Sequence, residues 1–185
     1  IFLTCDAYGV LPPVSKLNNE QAMYYFLSGY TSKVAGTERG ITEPQATFSS
    51  CFGSAFLTLH PIKYAQLFET KINTHQTNIF LVNTGWIGGP YGIGKRINIS
   101  DTRKCIDAIL SGEILNSKFN KESIFNLEIP IHINGMDQNI LIPENSWDDK
   151  KNYHKYATKL SNMFKDNYKQ YKQPNIKDYS TFGPI

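Results

Sequence analysis

The stretch NIFLVNTGWIGGPYGIGKRINIS, residues 78–100, decides the fold class. It opens with an apolar run at residues 78–83, which predicts a buried strand. A glycine-rich loop follows, and the alternation of polar and apolar residues from Arg96 to Ile99 predicts a second, short strand. Helical patterns lie on both sides of this stretch. We therefore expect an α/β or mixed α+β domain, with a mixed sheet flanked by helices.

The loop within this stretch, residues 88–95, nearly spells a phosphate-binding P-loop. Gly89, Gly94 and Lys95 fit the pattern G-x-x-x-x-G-K-[ST], but Arg96 stands where the pattern requires the Ser or Thr that binds Mg²⁺. A P-loop also runs directly into a helix whose first N–H groups face the phosphates, whereas the helical pattern here starts only near Asp101. We therefore do not assign a P-loop.

The remaining elements follow from periodicity and from prolines and glycines. Residues 1–4 predict the middle of a buried strand, and the prolines at residues 12–13 predict a loop after it. Residues 37–52 have no period and predict a loop. Residues 125–133 alternate like a strand that its proline confines to an edge or an end. Apolar residues at three- and four-residue spacing predict helices over residues 19–36, 61–75, 102–110 and 153–168.

Length and composition limit the class of protein. The 185 residues suit one domain or the larger part of one, and a hydrophobic fraction of 41% is that of a globular chain. A formal charge of +3 gives no reason to expect a nucleic-acid or membrane surface. Three widely spaced cysteines fit reduced thiols in the cytosol. Because the chain opens in a strand without Met, we expect an N-terminal part to be missing.

Three residues are candidates for contacts with a phosphate or a nucleotide, and each has a structural alternative. Arg96 could stack on an adenine or clamp a phosphate, or it could pair on the surface with Asp101. Thr102 could hydrogen-bond a base or ribose, or it could cap a helix. Lys16 follows the proline bend at the mouth of a strand-to-helix loop, where it could contact phosphate or be solvated.

Other chemistry has weaker support in the sequence. Asp6, Glu38 and Glu43 lie in predicted loops and could act as acids or bases, but nothing in their spacing pairs them. The four histidines lack the spacing of a metal site. Cys51 lacks the sequence context of a known nucleophile. These side chains therefore carry no assignment from their spacing alone.

Four stretches of the chain resemble the ATP-dependent phosphoenolpyruvate carboxykinases. The resemblance runs from residue 1 to about residue 145, with the motifs in the order of that family, and the closing FGPI is similar to the family's C-terminal end. The stretches are FLTCDAYGVLPPVSKL (2–17), YYFLSGYTSKVAGTERGITEPQATFSSCFGSAFLTLHP (24–61), LVNTGW (81–86) and GIGKRINISDTRKCIDAILSGE (92–113).

This resemblance implies a cytoplasmic enzyme of gluconeogenesis. Such an enzyme decarboxylates oxaloacetate and transfers the γ-phosphoryl group of ATP to the resulting enolate, giving phosphoenolpyruvate, ADP and CO₂. Its nucleotide is bound with Mg²⁺, and a second divalent ion is commonly Mn²⁺. Metals and basic residues would stabilise the charge that develops on the enolate oxygen and on the phosphoryl group.

The resemblance also implies roles for individual residues. Lys16 falls on a catalytic basic residue, often Arg, that reaches the γ-phosphate and the substrate. Lysine there keeps the charge but lacks the bidentate fork. Arg96 and Ile97 fall on the pair that contacts adenine, and Thr102 on a further nucleotide contact. The near P-loop then becomes a longer form of the loop that leads to the adenine site.

The resemblance finally implies that residues 1–185 are the C-terminal portion of the family's mononucleotide-binding domain. The N-terminal domain, the true phosphate loop and the metal ligands would be absent, so we expect this chain to be inactive alone. Two alternatives stay open: a non-catalytic module that binds adenine nucleotides, and a protein-interaction module on the same fold. The oligomeric state also stays open.

Overall fold

A five-stranded mixed sheet forms the centre of the computed structural model, which describes residues 1–36 and 39–185. The strand order is β1-β5-β2-β9-β8. β1 and β5 are parallel and the other neighbours are antiparallel. This confirms the predicted mixed sheet. Its strands are β1 (Phe2–Thr4), β2 (Val14–Leu17), β5 (Ile79–Asn83), β8 (Phe119–Lys121) and β9 (Glu128–Pro130).

Within the described residues, two small antiparallel pairs and five α-helices accompany this sheet. The pairs are β3 (Tyr30–Lys33) with β4 (Gln45–Phe48) and β6 (Trp86–Ile87) with β7 (Lys95–Arg96). The helices are α1 (Asn19–Ser28), α2 (Pro61–His75), α3 (Ile99–Leu110), α4 (Gln138–Leu141) and α5 (Lys150–Tyr168). Among the described residues, no helix is both long enough and apolar enough to span a membrane.

The two faces of the sheet carry different cores. Alternation along β5 sends Leu81 to one face and Phe80 and Val82 to the other. The first face packs against α1, α2 and α5 and is rich in aromatic rings, with Phe164 completely buried among them. The second face packs against α3 and α4 through smaller, mostly aliphatic side chains. The helices that flank the sheet are therefore those that the apolar periodicity predicted, with the short α4 added.

Several predicted boundaries are wrong. The first helix ends at Ser28 and not at Gly36, because Gly29 adopts the left-handed conformation (φ 55°) and donates its N–H to the carbonyl of Tyr25. The residues that follow form β3, paired with β4, so the region predicted as a loop up to residue 52 contains a strand. The fold reverses the chain here because tertiary pairing outweighs the helical spacing of Tyr30.

Other predictions hold for the element but not for its environment. β1 is an edge strand in which Leu3 is 58% exposed, so it is not the buried strand that we expected. β9 lies between β2 and β8 and is not an edge strand. Its proline, Pro130, is the last residue of the strand, which is the other position that we expected for it. α2 begins at Pro61 as predicted and buries Ile72 of its predicted apolar face, together with Ile62 and Ala65. Leu67, which the helical spacing places on the predicted face, is 59% exposed. α5 buries its predicted apolar stripe.

Candidate nucleotide-binding site

The near P-loop is the connection of a β-hairpin. Trp86 pairs with Arg96 and Ile87 with Lys95, so residues 88–94 join two antiparallel strands. The next helix, α3, begins only at Ile99, with Asn98 as its N-cap residue. Its first N–H groups therefore do not continue from the glycine-rich loop, as those of a P-loop would. The predicted strand from Arg96 to Ile99 is wrong in extent, since pairing ends at Arg96.

Glycines let this hairpin approach two other segments closely. A Cβ atom on Gly9 would lie 2.4 Å from the carbonyl oxygen of Gly89, and one on Gly88 would lie 2.7 Å from that of Ser146. The indole of Trp147 donates a hydrogen bond to the carbonyl of Gly9 at 2.8 Å. The hairpin is thus fixed against the loop that precedes β2 and against the segment that precedes α5.

Arg96 lies exposed on this hairpin with its guanidinium held on one side. The guanidinium carbon is 5.7 Å from the ring centroid of Trp86, and Nε donates to the carbonyl of Thr84 at 3.1 Å. Asp101, the surface partner that the sequence left open, instead pairs with Lys104 at 3.1 Å. A planar group that stacks on a ring and has its fork exposed is suited to a flat aromatic ligand or a phosphate.

The two other predicted contacts continue from Arg96 into α3. Ile97 is buried (6% exposed), and its N–H donates to the carbonyl of Gly85 at 2.8 Å. Thr102 lies half-buried in the first turns of α3, where its N–H donates to the carbonyl of Asn98 at 3.1 Å. Asn98 occupies the N-cap position, so the capping alternative for Thr102 is wrong. The structure therefore brings these three residues together at the start of α3.

Lys16 lies in the five-stranded sheet, whereas Arg96 lies in the separate β6–β7 pair. Lys16 is in the strand β2, not in a strand-to-helix loop as expected, between Phe80 on β5 and Glu128 on β9. Its side chain is half-buried, and Nζ is 5.7 Å from the ring centroid of Phe119. The register puts Lys16 on the same face as Phe80, where α3 packs. A charge on this face is partly shielded from water.

β5 relates the backbone position of Lys16 to that of Arg96, because the two residues are bound at different places along this strand and its continuation. Lys16 pairs with Phe80, whereas Arg96 is bound to Thr84, just beyond the C-terminal end of the same strand. Four residues of strand span about 13 Å. The backbone positions that carry the two cations are therefore well separated, a spacing that suits an extended ligand with chemically different ends.

Asp6 is a structural carboxylate in this site. It is fully buried and accepts hydrogen bonds from the N–H groups of Tyr8, Val10 and Leu11 and from the hydroxyl of Tyr30, at 2.7–3.0 Å. Burial raises the pKa of Asp6 above its ordinary value of 3.8, and these donors oppose the shift. Its oxygens are used by the loop that leads to β2, so it does not serve as a general acid or base.

The remaining candidates have no such environment. Glu43 is exposed, and Glu38 lies outside the described residues. Desolvation raises the pKa of the half-buried Cys51 to about 11 and that of the buried Cys105 to about 12, which disfavours a thiolate nucleophile at either position. Within residues 1–36 and 39–185, no group of three or more histidine, cysteine, aspartate or glutamate side chains could hold a metal ion.

Sequence reasoning missed the turn that supports Arg96. Asn83 ends β5, Thr84 and Gly85 follow it, and Trp86 supplies the ring near the guanidinium. A Cβ atom on Gly85 would lie 2.2 Å from the amide nitrogen of Asp6, so only glycine fits there. A polar residue at the end of an otherwise apolar strand, followed by glycine, was the available signal.

Comparison with known proteins gives one consistent family. A family model described as phosphoenolpyruvate carboxykinase matches residues 1–139. The chain is 57% identical over 185 residues to a protein of Sulfurimonas denitrificans and 56% identical over 186 residues to one of Leptospira biflexa, covering 100% of this chain and 35% of each relative. It is 60% identical over 173 residues to a protein of Caldanaerobacter subterraneus, covering 94% of this chain and 33% of that relative.

All three relatives bear the name phosphoenolpyruvate carboxykinase (ATP). The chain spans about a third of the length of the curated relatives that it matches. The similarity extends over both Lys16 and the hairpin that carries Arg96, since the matched region includes residues 1–139.

Proposed function

The chain belongs to the ATP-dependent phosphoenolpyruvate carboxykinase family, and from that premise we propose that it forms the adenine-recognition part of such an enzyme. The enzyme would act in the cytoplasm on oxaloacetate and ATP, giving phosphoenolpyruvate, ADP and CO₂. In this proposal residues 1–185 are the C-terminal portion of the mononucleotide-binding domain and are inactive by themselves.

The observation that carries the proposal is the support of Arg96. Its guanidinium rests on Trp86 and is tied through Nε to the carbonyl of Thr84, while the next residue, Ile97, is buried. A guanidinium that is already oriented loses little side-chain entropy when a flat base stacks on it. Ile97 supplies an apolar contact, and the hydroxyl of Thr102 can hydrogen-bond the base or the ribose.

Lys16 is proposed to act at the phosphate end of the nucleotide. Its ammonium would neutralise the charge on the γ-phosphoryl group and stabilise the enolate oxygen that attacks it. Because Lys16 is half-buried against Phe119, this charge is screened less by water than a fully solvated one. A lysine gives one point charge where an arginine would give a fork, so orientation of the phosphoryl group requires further donors.

The proposed enzyme uses Mg²⁺ with its nucleotide and a second divalent ion such as Mn²⁺. The described residues contain no group of three or more histidine, cysteine, aspartate or glutamate side chains that could hold either ion. No step of the reaction is therefore assigned to a metal here. The residues of this chain bind and orient the nucleotide and place one positive charge near its phosphates.

Calorimetric titration of this chain with MgADP and with Mg-pyrophosphate tests the base-recognition part. We expect MgADP to bind more tightly than Mg-pyrophosphate, and Arg96→Ala to lower the MgADP affinity about 5- to 30-fold, since a cation stacked on a ring contributes about 1–2 kcal/mol. Arg103→Ala is the matched control, because Arg103 is exposed on the neighbouring α3. Equal binding of pyrophosphate and ADP would instead assign phosphate binding to the glycine-rich hairpin.

A second titration tests Lys16 separately. Lys16→Ala should weaken binding of MgATP by about tenfold, because one charge-assisted contact to a phosphate is lost. The same variant should leave AMP binding within about twofold, since AMP does not carry the γ-phosphate. Equal losses for ATP and AMP would remove Lys16 from the phosphate end.

A further inference from the structure

Asn83 uses both ends of its side-chain amide inside the protein. It is the last residue of β5 and only 1% exposed. Its Oδ1 accepts the N–H groups of Asp6 at 3.0 Å and Gly85 at 2.8 Å, and its Nδ2 donates to the carbonyl of Leu11 at 3.1 Å. A buried amide of this kind holds three separate pieces of backbone at fixed distances.

One of these pieces leads to Arg96. The N–H of Gly85 is bound to Asn83, and the carbonyl of Gly85 accepts the N–H of Ile97 at 2.8 Å. The carbonyl of Thr84, which belongs to the same peptide group as the N–H of Gly85, accepts a hydrogen bond from Nε of Arg96. The peptide group that hydrogen-bonds the Asn83 side chain is therefore within one residue of the two contacts that hold Arg96 and Ile97.

The other pieces lead to Lys16. The carbonyl of Leu11 accepts from the Asn83 side chain, and the carbonyl of Pro13 accepts from the Asn83 backbone N–H at 2.9 Å. Pro13 directly precedes β2, in which Lys16 is the third residue. Asp6, whose N–H also binds Asn83, holds the rest of this loop through its carboxylate.

We propose that Asn83 is a positioning residue for nucleotide recognition, which fixes the turn supporting Arg96 relative to the loop that leads to Lys16. The inference rests on the proposed function. It goes beyond the assigned contacts because Asn83 is buried and acts only through other residues. Aspartate lacks the N–H₂ donor at this position and leucine lacks both polar groups, so neither reproduces the three contacts.

A double-mutant cycle tests this role. The MgADP affinity is measured by calorimetry for the unmodified chain, Asn83→Ser, Arg96→Ala and the double variant. Asn83→Ser should lower the affinity about three- to tenfold in the unmodified chain and by a smaller factor, about twofold, when Arg96 is already alanine, because the guanidinium that the turn orients through Thr84 is then missing. Ile72→Val, in the buried face of α2, is the control for a general loss of stability.

Amide hydrogen exchange gives a readout that does not depend on nucleotide binding. Asn83→Ser should speed exchange at the N–H groups of Gly85 and Ile97 while leaving those of the β3–β4 pair unchanged. An equal affinity loss in both arms of the cycle, unchanged affinity, or unchanged exchange would each overturn the inference. If the unmodified chain binds no MgADP, the proposed function fails, and localised exchange would still support the structural half of the inference.

Discussion

The aromatic face of the sheet and the polar turn at the end of β5 are built on different principles. On the aromatic face, Phe164 lies 5.1–6.3 Å from the ring centroids of Tyr24, Tyr25, Tyr30, Phe48 and Phe125. At the turn, Asn83 and Gly85 are held by directional hydrogen bonds and by a contact that excludes even a Cβ atom. Area burial stabilises the first region, whereas geometry defines the second.

This difference predicts that the two regions respond differently to mutation. A change on the aromatic face should cost stability and leave the site geometry of the folded molecules intact. A change at the turn should cost the site its geometry even where much of the stability remains.

The largest expected effect is on stability, from Phe164→Ala. Its side chain is completely buried, and removing a buried phenylalanine costs about 3–5 kcal/mol through lost transfer energy and a cavity. The free energy of unfolding is measured by urea denaturation. Phe56→Ala is the matched control, because Phe56 is 88% exposed and its removal should change stability by less than about 0.5 kcal/mol. Equal effects of the two substitutions would show that the aromatic cluster does not stabilise the fold.

The next effect is at the turn, from Gly85→Ala. The new Cβ atom would lie 2.2–2.3 Å from the backbone of Asp6, so the backbone must move, at a cost of about 1–3 kcal/mol. The loss in the free energy of MgADP binding should exceed the loss in the free energy of unfolding, because the carbonyl of Gly85 accepts the N–H of Ile97. Gly53→Ala is the control, since a Cβ atom there would lie 3.8 Å from the side chain of Phe56, an ordinary van der Waals contact. Undiminished MgADP affinity in Gly85→Ala would separate this turn from nucleotide binding.

The smallest effect is a pH dependence that belongs to Asp6. Burial raises the pKa of Asp6 above 3.8, so the folded state binds its proton more tightly than the unfolded state does. The contribution to stability is then fully present below pH 3.8 and is lost as the pH rises through the raised pKa. Urea denaturation from about pH 3.5 to about pH 7, a range that starts just below the ordinary carboxyl pKa, should show a smaller slope of this sign in Asp6→Asn than in the unmodified chain. The slope that remains includes that of Glu122, whose pKa is also raised by desolvation. A slope of opposite sign from Asp6 would mean that its four donors outweigh burial.

The same two regions explain what the sequence could predict. Periodicity identified α5 and its apolar stripe because the burial of a helix face leaves a repeated pattern. It failed at Tyr30, whose helical spacing belongs to a strand, because the partner strand β4 is distant in sequence. Arg96 and Thr102 were candidates from their places after the glycine-rich loop and at a helix start, and the family resemblance added Ile97. The hydrogen bonds of Asn83 were not, because contacts between single polar groups leave no period.

The environment of Lys16 was also beyond the sequence. Its distance from the prolines suggested a loop, whereas pairing with β5 and β9 makes it part of a strand. Strand register depends on partners that lie far away along the chain, and only the fold reveals them. The predicted loop position of Lys16 is therefore wrong, and its contact with phosphate stays a prediction.

Nuclear magnetic resonance titration of this chain with MgADP tests the central claim most directly, namely that the Trp86–Arg96 hairpin recognises adenine. We expect the largest shifts at the Trp86 indole, Nε of Arg96 and the methyl groups of Ile97, with the ring of Phe164, completely buried on the aromatic face, unchanged as an internal control. Shifts confined to the amides of residues 88–94, with Arg96 and Ile97 unaffected, would contradict it.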